Sequence, residues 1–524
     1  MNLRSHKLAG LLALTMALGA CGDDDPVDPD PTPDAPAQVI NVTVAEQNGQ
    51  LVISWAAAAN ATSYNVERDV IGDNAGFSQI ANSVAGTTYT DSNVTAGTTY
   101  LYRISGVGVG GTGPASDPEE GMVASNVAVL SGSIDGVVDL DADMTYIIRG
   151  IVLVEDGGVL NIPAGTLLQG DPQVQPSAVF VRQGGQINSM GTADDPVVFT
   201  SGNPEGERRR GDWGGVVVNG QSLCNFPEGQ CVGEGSSGPY GGTVLDDDSG
   251  MMVYTRIEFA GFEVSFGNEL NALTLNGVGS GTTIHHVQTH MGLDDGVELF
   301  GGTVDLSYIV ASGISDDSID YSTGWQGRGQ FWLVVADPSD GDNGFEVDGN
   351  EDDFDAEPFT APEIYNVTLL GKGANGAGGT DGEVDWGLLL RRGTGGNIYN
   401  TIVMGWGDGG VDFDNPETVG RATVQNSIFF ENATTASGDD DGIDDAGLLN
   451  TTAWNNTIGE DPQLAAAYTW PAMPDATPAA GGPADNGATP PNDGFFDVAA
   501  TYIGAVAPGA TELWYAGWTS FINN

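Results

Sequence analysis

The chain has 524 residues and a strong excess of acidic side chains, with 72 Asp and Glu against 15 Lys and Arg and a formal net charge of -57 at pH 7. Because nucleic acids are bound through basic surfaces, this charge excludes a nucleic acid as the expected partner. It favours divalent cations, although many acidic surfaces are only solvated. Glycine occurs 79 times without a Gly-X-Y period, which suits many tight turns between short strands.

The first twenty residues have the layout of a secretory signal peptide. Arg4 and Lys7 precede an apolar run, Leu8 to Leu18, that is too short to span a bilayer, and small residues then lead to Cys21. The sequence Leu-Gly-Ala-Cys resembles the lipobox of bacterial lipoproteins. This resemblance implies removal of residues 1–20, lipid modification of Cys21, and a place in the bacterial cell envelope as a surface-exposed outer-membrane lipoprotein.

Residues 21–36 are rich in Asp and Pro and cannot bury apolar area, so we expect a solvated tether. From residue 37 to residue 124, short alternating apolar runs separated by turn residues predict a small antiparallel sandwich. Trp55 ends the second run, Tyr64 begins the third, and Tyr100 precedes the last hairpin. This pattern resembles a fibronectin type III domain, and the resemblance gives Trp55 and Tyr100 structural roles in the core and at a corner.

Residues 125–524 contain short apolar runs, polar turns and an internal similarity that recurs every few tens of residues. A β-coil of this length cannot bury its apolar face alone, so successive coils are predicted to stack into a solenoid with a continuous core. Five segments share a polar turn followed by a short strand, and their first residues are Asp294, Asp316, Asp342, Asp385 and Asp408.

A second series of segments places an asparagine at one position of the coil, as in Asn366, Asn400 and Asn426. Asparagine can adopt a left-handed turn there and hydrogen-bond along the stack. These coils resemble the right-handed parallel β-helix of the pectin-lyase-like superfamily, and residues 130–524 also resemble a group of bacterial β-helix lipoproteins with no settled activity. The predicted fold class is all-β, a fibronectin type III sandwich followed by a right-handed parallel β-helix solenoid.

Two local features complete the predicted organisation. Cys224 and Cys231 are seven residues apart in a loop-like stretch, so in an oxidising envelope we expect one disulfide. The proline-rich segment 471–491 is predicted to be an irregular excursion from the solenoid. Beyond it, large apolar residues such as Trp514 and Trp518 are predicted to cap the last coil.

Paired carboxylates one coil apart are the first candidates for chemistry. Stacking would bring Asp294 and Asp295 next to Asp316 and Asp317. Two carboxylates at a suitable separation can hydrolyse a glycoside, and a carboxylate cluster that binds Ca²⁺ opposite an arginine resembles a pectate-lyase site. The competing interpretation is that Asp-Asp-Gly and Asp-Asp-Ser are ordinary turns, and we favour it.

Histidines and arginines near these carboxylates are the next candidates. His290 is a candidate acid, base or metal ligand beside them. The favoured alternative places His286 at the asparagine-turn position and makes His285 and His290 ordinary coil residues. The arginines available to a lyase-type site are Arg328, Arg391 and Arg392.

Two further groups of residues suggest ligands without a specific motif. An acidic run attracts calcium, although such runs are often only solvated: Asp439, Asp440, Asp441, Asp444 and Asp445. Tryptophans near the recurring turns could stack on sugar rings, although packing beneath loops is the favoured role: Trp325, Trp332, Trp386 and Trp406.

The sequence therefore favours a non-enzymatic, lipid-anchored envelope protein that presents a β-helix as a binding or adhesion surface for polysaccharide or another surface polymer. The alternative is a calcium-assisted polysaccharide lyase or a glycoside hydrolase at the face of Asp294 and Asp317. A third possibility is assembly through the edges of the solenoid. No motif requires a cofactor, Ca²⁺ is the ion that the acidic runs suggest, and the membrane is a partner through the N-terminal lipid.

Overall fold

The computed structural model describes residues 33–227, 231–374, 385–438 and 441–524, so the predicted signal peptide and Cys21 lie outside the described residues. The chain divides into two compact units, and the boundary falls after Ser125, one residue beyond the predicted position. In the described part of the chain, no helix is long and apolar enough to cross a membrane.

Two antiparallel sheets form the first unit. Their strands are β1 (Thr43–Gln47), β2 (Gln50–Ser54), β3 (Ser63–Val70), β4 (Ser78–Val84), β5 (Thr88–Asp91), β6 (Thr99–Gly108), β7 (Gly111–Ala115) and β8 (Glu119–Met122). One sheet has the order β1-β2-β5, and the other has the order β4-β3-β6-β7 with β8 also paired to β6. This is the strand arrangement of a fibronectin type III sandwich, as predicted.

The core of this sandwich contains the residues that the sequence pattern selected. Trp55 is buried, and its ring meets the ring of Tyr64 edge-on at a centroid distance of 5.3 Å. The hydroxyl of Tyr100 accepts a hydrogen bond from the backbone N–H of Thr95 at 2.9 Å and so fixes a corner of the sandwich.

The second unit is a parallel β-helix built around one 24-stranded sheet that winds along the solenoid. Its strands, with the short ones in its loops, are β9 (Val127–Ile134), β10 (Val137–Asp139), β11 (Thr145–Val154), β12 (Val159–Pro163), β13 (Leu167–Gly170), β14 (Ala178–Val181), β15 (Gln186–Met190), β16 (Val197–Ser201), β17 (Val216–Asn219), β18 (Val232–Gly233), β19 (Gly238–Pro239), β20 (Gly250–Glu258), β21 (Phe262–Ser265), β22 (Asn268–Leu270), β23 (Leu273–Asn276), β24 (Thr283–His290), β25 (Val297–Phe300), β26 (Asp305–Ser312), β27 (Ile319–Ser322), β28 (Arg328–Val335), β29 (Phe345–Asp348), β30 (Glu363–Leu370), β31 (Trp386–Arg391), β32 (Gly396–Met404), β33 (Gly409–Phe413), β34 (Ala422–Gln425), β35 (Ile428–Phe430), β36 (Thr457–Ile458), β37 (Leu464–Ala466) and β38 (Asp475–Pro478).

Each middle coil contributes to three stacks of parallel strands. In β24, residues 283–285 belong to stack A and residues 287–290 to stack B, and β25 belongs to stack C. The same division holds for β26 with β27, for β28 with β29, and for β30 with β31. Equivalent residues of successive coils are therefore direct neighbours.

Stack C shows how the alternation of side chains separates the core from the site. Val297 and Leu299 of β25 point into the hydrophobic core, while Glu298 between them points outward. The next two coils repeat the pattern, and register places Glu298 beside Asp320 and Asp320 beside Glu346. Because side chains alternate with a period of two, the buried apolar residues fix which residues face outward.

A residue in the left-handed conformation stands between stacks A and B in each coil from β20 onward. These residues are Tyr254, His286, Tyr308, Phe331, Asn366, Asn400 and Asn426, with φ from 45° to 60°. The rings of Tyr254, His286 and Tyr308 stack with successive centroid distances of 4.3 Å. The predicted asparagine turn is therefore present, and His286 occupies its position as the favoured interpretation held.

Two of the three asparagine side chains bond along the stack as predicted, and two of the three also bond to the C-terminal part of the chain. Asn426 accepts a hydrogen bond from Asn455 of the next coil, as a bond along the stack requires. The Oδ1 of Asn366 also makes such a bond, since it accepts from Gln330 Nε2 of the previous coil at 3.0 Å, while its Nδ2 donates to the carbonyl of Tyr502 at 2.7 Å. The Oδ1 of Asn400 instead accepts from the N–H of Ala488. These two asparagines therefore attach the C-terminal part of the chain to the solenoid.

The C-terminal strap, residues 464–524, covers the outer side of stack B and does not cap the last coil. Outward apolar residues of stack B, such as Leu333 and Ile402, pack against Tyr515 and Trp518 of the strap. The predicted cap was wrong because these outward side chains need a cover along the side of the solenoid. The end of the core is covered by Ala436 and by residues of the segment 441–454, which includes the helix α1 (Asp445–Leu449).

We predict that the substitution Trp518→Ala lowers the free energy of unfolding of the β-helix by about 3 kcal/mol, because it removes a buried ring that packs against Tyr254 and His286. Chemical denaturation followed by far-UV circular dichroism measures this loss. Val498→Ala is the control in the same strap, since Val498 is 40% exposed. If the free energy of unfolding fell no more in Trp518→Ala than in Val498→Ala, the packing of Trp518 in the strap would not stabilise the solenoid.

Candidate functional site

Three consecutive coils bring eight carboxyl groups together on stack C and on the turns that lead into it. We call this set the acidic ladder: Asp294, Asp295, Glu298, Asp316, Asp317, Asp320, Asp342 and Glu346. The ladder contains four triads in which one oxygen of each carboxyl group lies within 4.8 Å of one oxygen of the other two. The triads are Asp294/Asp295/Asp316, Asp295/Glu298/Asp320, Asp316/Asp317/Asp342 and Asp317/Asp320/Glu346.

One position of the ladder also has a structural role. The side-chain oxygens of Asn271, Asp295, Asp317 and Asn343 accept the backbone N–H groups of Asp295, Asp317, Asn343 and Trp386, at 2.9 to 3.0 Å. Asn271 and Asn343 make this bond with a neutral amide, whereas Asp295 and Asp317 make it with a carboxylate. The negative charge of the two aspartates is therefore not needed for the bond that joins the coils.

Burial and mutual repulsion raise the pKa values along the acidic ladder. Burial is the largest cause for Asp295 and Asp317, followed by the charges of Glu298 and Glu346 respectively, and their pKa values lie well above the usual range. Burial and the nearby Asp316 raise the pKa of Asp294 to about 8. The ladder thus concentrates carboxyl groups that repel one another and that favour an added positive charge.

Two arginines stand at one end of the ladder. The guanidinium of Arg391 pairs with Glu346, and its Nε lies 2.8 Å from Asp348 Oδ1. Arg392 also pairs with Asp348, at 2.7 Å. Burial raises the pKa of Glu346 and Arg391 opposes this, with a resulting value of about 7. Of the predicted arginines, Arg391 and Arg392 are therefore next to the site, and both are held by carboxylates.

A cleft of about 270 Å³ lies over the outward side of stack C. Its floor includes Glu298 and Asp320, and its walls come from loops that carry Phe226, Glu234 and Arg392. The predicted disulfide joins the two cysteines of the Phe226 loop. Burial, followed by the charge of Glu269, raises the pKa of Glu234 to about 7.

A hairpin stands beside the cleft. Strands β21 and β22 pair with each other, and Gly267 of their turn lines the cleft. The preceding residue, Phe266, is 98% exposed, which is the highest exposure among the large hydrophobic side chains described. An aromatic ring is therefore presented to solvent at the rim of an acidic cleft.

His290 and Arg328 lie outside the site, so neither has the candidate role in its chemistry, and His290 is a coil residue as the favoured interpretation predicted. His290 is fully buried on stack B, where Ser312 Oγ lies 2.9 Å from its Nδ1 and its Nε2 donates to the carbonyl of Ile522. Burial lowers the pKa of His290, so the ring is a neutral structural group beneath the strap. Arg328 lies on stack A, between Asp305 and Asp493.

The acidic run near residue 440 forms no triad of this kind in the part of the chain that the structure describes, and Asp439 and Asp440 lie outside that part. Asp441 accepts the N–H of Ile443, Asp444 caps the N-terminus of α1, and Asp445 is buried. The candidate tryptophans are buried as the favoured interpretation held: Trp325, Trp332, Trp386 and Trp406.

Half of the ladder was not selected from the sequence. The selected residues were the paired aspartates, and the missed ones are Glu298, Asp320, Asp342 and Glu346. The sequence contains a pattern that could have identified them, because an acidic residue stands four positions after the first aspartate of three successive segments. Only the register of stack C shows that these residues face outward beside one another.

The comparisons with known proteins cover different fractions of the chain. Amylopullulanases of Thermoanaerobacterium saccharolyticum and Thermoanaerobacterium thermosulfurigenes are 40% and 39% identical to it over 73 residues, which is 14% of this chain but only 6% and 4% of those proteins. An Fn3-like protein from Clostridium thermocellum is 28% identical over 17% of this chain and 91% of that one, with a TM-score of 0.15.

A family model described as a pectate-lyase-like β-helix domain matches residues 132–471. This range contains nearly all of the stacked coils and the whole acidic ladder. Because the match covers more than half of the chain, the protein belongs to the family of pectate-lyase-like β-helix domains.

Proposed function

We propose that this protein is a binding protein of the bacterial cell envelope whose β-helix holds divalent cations at the acidic ladder and binds polysaccharide in the cleft above it. One observation carries the proposal. Asp295 and Asp317 retain carboxylates at a position where Asn271 and Asn343 make the same hydrogen bond with amides. A charge that costs free energy on burial, and that the fold does not need, indicates a ligand of opposite charge.

The donor atoms favour calcium. The ladder offers carboxylate oxygens, which are hard ligands, and its triads contain no histidine or thiol. Calcium accepts six to eight such oxygens in irregular arrangements, and the remaining positions can be filled by water or by sugar oxygens. These ligands are therefore compatible with a cation that joins the protein to an oxygen-rich polymer.

The surroundings of the ladder suit a sugar chain. Phe226 and Phe300 line the cleft, and Phe266 stands at its rim with an exposed ring. Aromatic faces pack against the apolar faces of sugar rings, while carboxylates accept hydrogen bonds from sugar hydroxyl groups. A polysaccharide offers both kinds of contact along an open surface.

The place of the protein in the envelope rests on the sequence of its N-terminus. The lipobox-like residues that end in Cys21, followed by an Asp/Pro-rich stretch, support a lipid anchor with a solvated tether. In this proposal the anchor keeps the protein at the outer membrane, and the β-helix is the part that binds.

Calcium-assisted lyase or glycoside hydrolase activity is the second candidate. Glu298 and Asp320 have oxygens within 4.8 Å of each other in the cleft floor, close to the spacing of about 5 Å in retaining glycosidases. Against a lyase, Arg391 and Arg392 are both engaged by carboxylates. Incubation with a panel of polysaccharides, with and without calcium, separates the two candidates, because cleavage releases new reducing ends or unsaturated products.

We predict that Asp295→Asn combined with Asp317→Asn weakens calcium binding by roughly tenfold for each carboxylate removed. The amides keep the hydrogen bonds between coils, so the melting temperature of the calcium-free protein should not fall. Isothermal titration calorimetry measures the affinity. The control is Asp194→Asn with Asp195→Asn, which removes the same charge from an exposed turn. An unchanged affinity in the first variant would contradict the proposal.

A second prediction concerns the stability of the protein in a chelator. The folded state raises the pKa of Asp294 from 3.8 to about 8 and that of Glu346 from 4.5 to about 7. Between these limits the folded chain holds protons that the unfolded chain has released, so the free energy of unfolding should fall as pH rises from 4 to 8. Denaturant titrations across this range measure the change, and a steady rise in stability would contradict it.

The third prediction tests the rim of the cleft. Phe266→Ala should weaken binding to those polysaccharides that the wild type retains on a glycan array by about five- to tenfold, since it removes an aromatic face. Calcium affinity should not change. Val137→Ala, at a residue that is 66% exposed on β10, is the control for loss of an exposed apolar side chain. No polysaccharide binding and no cleavage by the wild type across broad panels would reject both candidate functions.

A further inference from the structure

Asp320 has a special place in the acidic ladder because it belongs to two triads. It shares one triad with Asp295 and Glu298 and another with Asp317 and Glu346. Register explains this position, since β27 lies between β25 and β29 and places Asp320 directly between Glu298 and Glu346. A ligand of either triad therefore meets the same central carboxylate.

The side chain of Asp320 has an unsatisfied acceptor. Its Oδ1 atom is buried, and it has no hydrogen-bond partner among the residues that the structure describes. A buried carboxylate oxygen without a donor is costly, because it has lost its hydration without replacement. This oxygen is part of a carboxyl group that both triads use, so the missing partner points to a cation at this place.

We propose that two divalent cations bind side by side, one in each of these triads, and that the carboxylate of Asp320 bridges them. This inference rests on the proposed function and specifies the number and the arrangement of its ions. Asp295 and Glu298 complete the first site, and Asp317 and Glu346 complete the second. Water or a sugar oxygen supplies the remaining ligands of each ion.

Charge balance favours two ions over one. The two triads contain five carboxyl groups, Asp295, Glu298, Asp317, Asp320 and Glu346. When all five are ionised, a single divalent cation leaves three negative charges in close contact, whereas two cations leave one, and Arg391 stands beside Glu346 at the end of the row. Coulomb repulsion between buried like charges is strong, so a second cation is favoured because it relieves most of the repulsion that remains after the first one binds.

The spacing of the coils suits a bridged pair. Adjacent strands of a sheet lie about 4.8 Å apart, and the two sites are related by one step along stack C. Carboxylate-bridged metal pairs in proteins are separated by about 3.5 to 4 Å. A small displacement of each ion towards Asp320 therefore joins the two sites into one centre.

Mn²⁺ provides a direct test with the full chain. Calorimetry should give two bound ions per chain, and electron paramagnetic resonance of the doubly loaded protein should show an exchange-coupled pair in place of the six lines of isolated Mn²⁺. Glu298→Gln and Glu346→Gln should each retain one ion with an uncoupled spectrum. Asp320→Asn should abolish the coupling and weaken both sites.

The outcomes separate this inference from the proposed function. A single bound ion, an uncoupled pair in the wild type, or coupling that survives Asp320→Asn would overturn the two-ion centre and leave cation binding intact. Absence of any bound Mn²⁺ or Ca²⁺ would overturn both. Far-UV circular dichroism and the melting temperature check that Asp320→Asn folds, which we expect because the amide replaces an oxygen that accepts no hydrogen bond.

Discussion

In-register stacking of parallel coils is the constraint on which the rest of the structure depends. Each coil repeats the inward and outward order of the previous one, so apolar residues such as Leu299 and Tyr321 join one core. The same register places outward residues of equal chemistry at the spacing of neighbouring strands, about 4.8 Å. Neutral side chains at this spacing form stacked rings and hydrogen bonds between side-chain amides, whereas carboxylates at the same spacing concentrate negative charge. The acidic ladder therefore follows from the same geometry that builds the core.

The charged and neutral members of the stacks have different consequences for stability. Asn271 and Asn343 join coils without an electrostatic cost, whereas Asp295 and Asp317 join them while their charges repel the rest of the ladder. The fold accepts this cost at the coil-joining position of two consecutive coils and avoids it in the coils on either side, which carry Asn271 and Asn343. Natural proteins commonly depart from locally optimal choices at functional sites. Here the departure is confined to the floor and the edge of one cleft.

The sequence was sufficient for features that depend on local pattern. Repeating short runs predicted the solenoid, asparagine predicted the left-handed turn at Asn366, and adjacent aspartates predicted the cluster around Asp294. Features that depend on distant segments were not predictable. The favoured role of His290 as a coil residue is confirmed, but the alternative of a ligand stayed open because nothing in its neighbourhood reveals that Ile522, more than 200 residues later, covers it. The strap was predicted to cap the last coil for the same reason, because the apolar residues of a terminal segment do not reveal which surface of the solenoid they cover.

The position of the C-terminal strap also determines the order in which parts of the protein can pack during synthesis. It crosses stack B from the region of Asn400 back to His290, so the coils are complete in sequence long before their cover is made. Until the last residues arrive, the outward apolar side chains of stack B remain open to water or to other chains, a state prone to aggregation. Stack B therefore reaches its final packing only after residues 464–524 have been added to the growing chain.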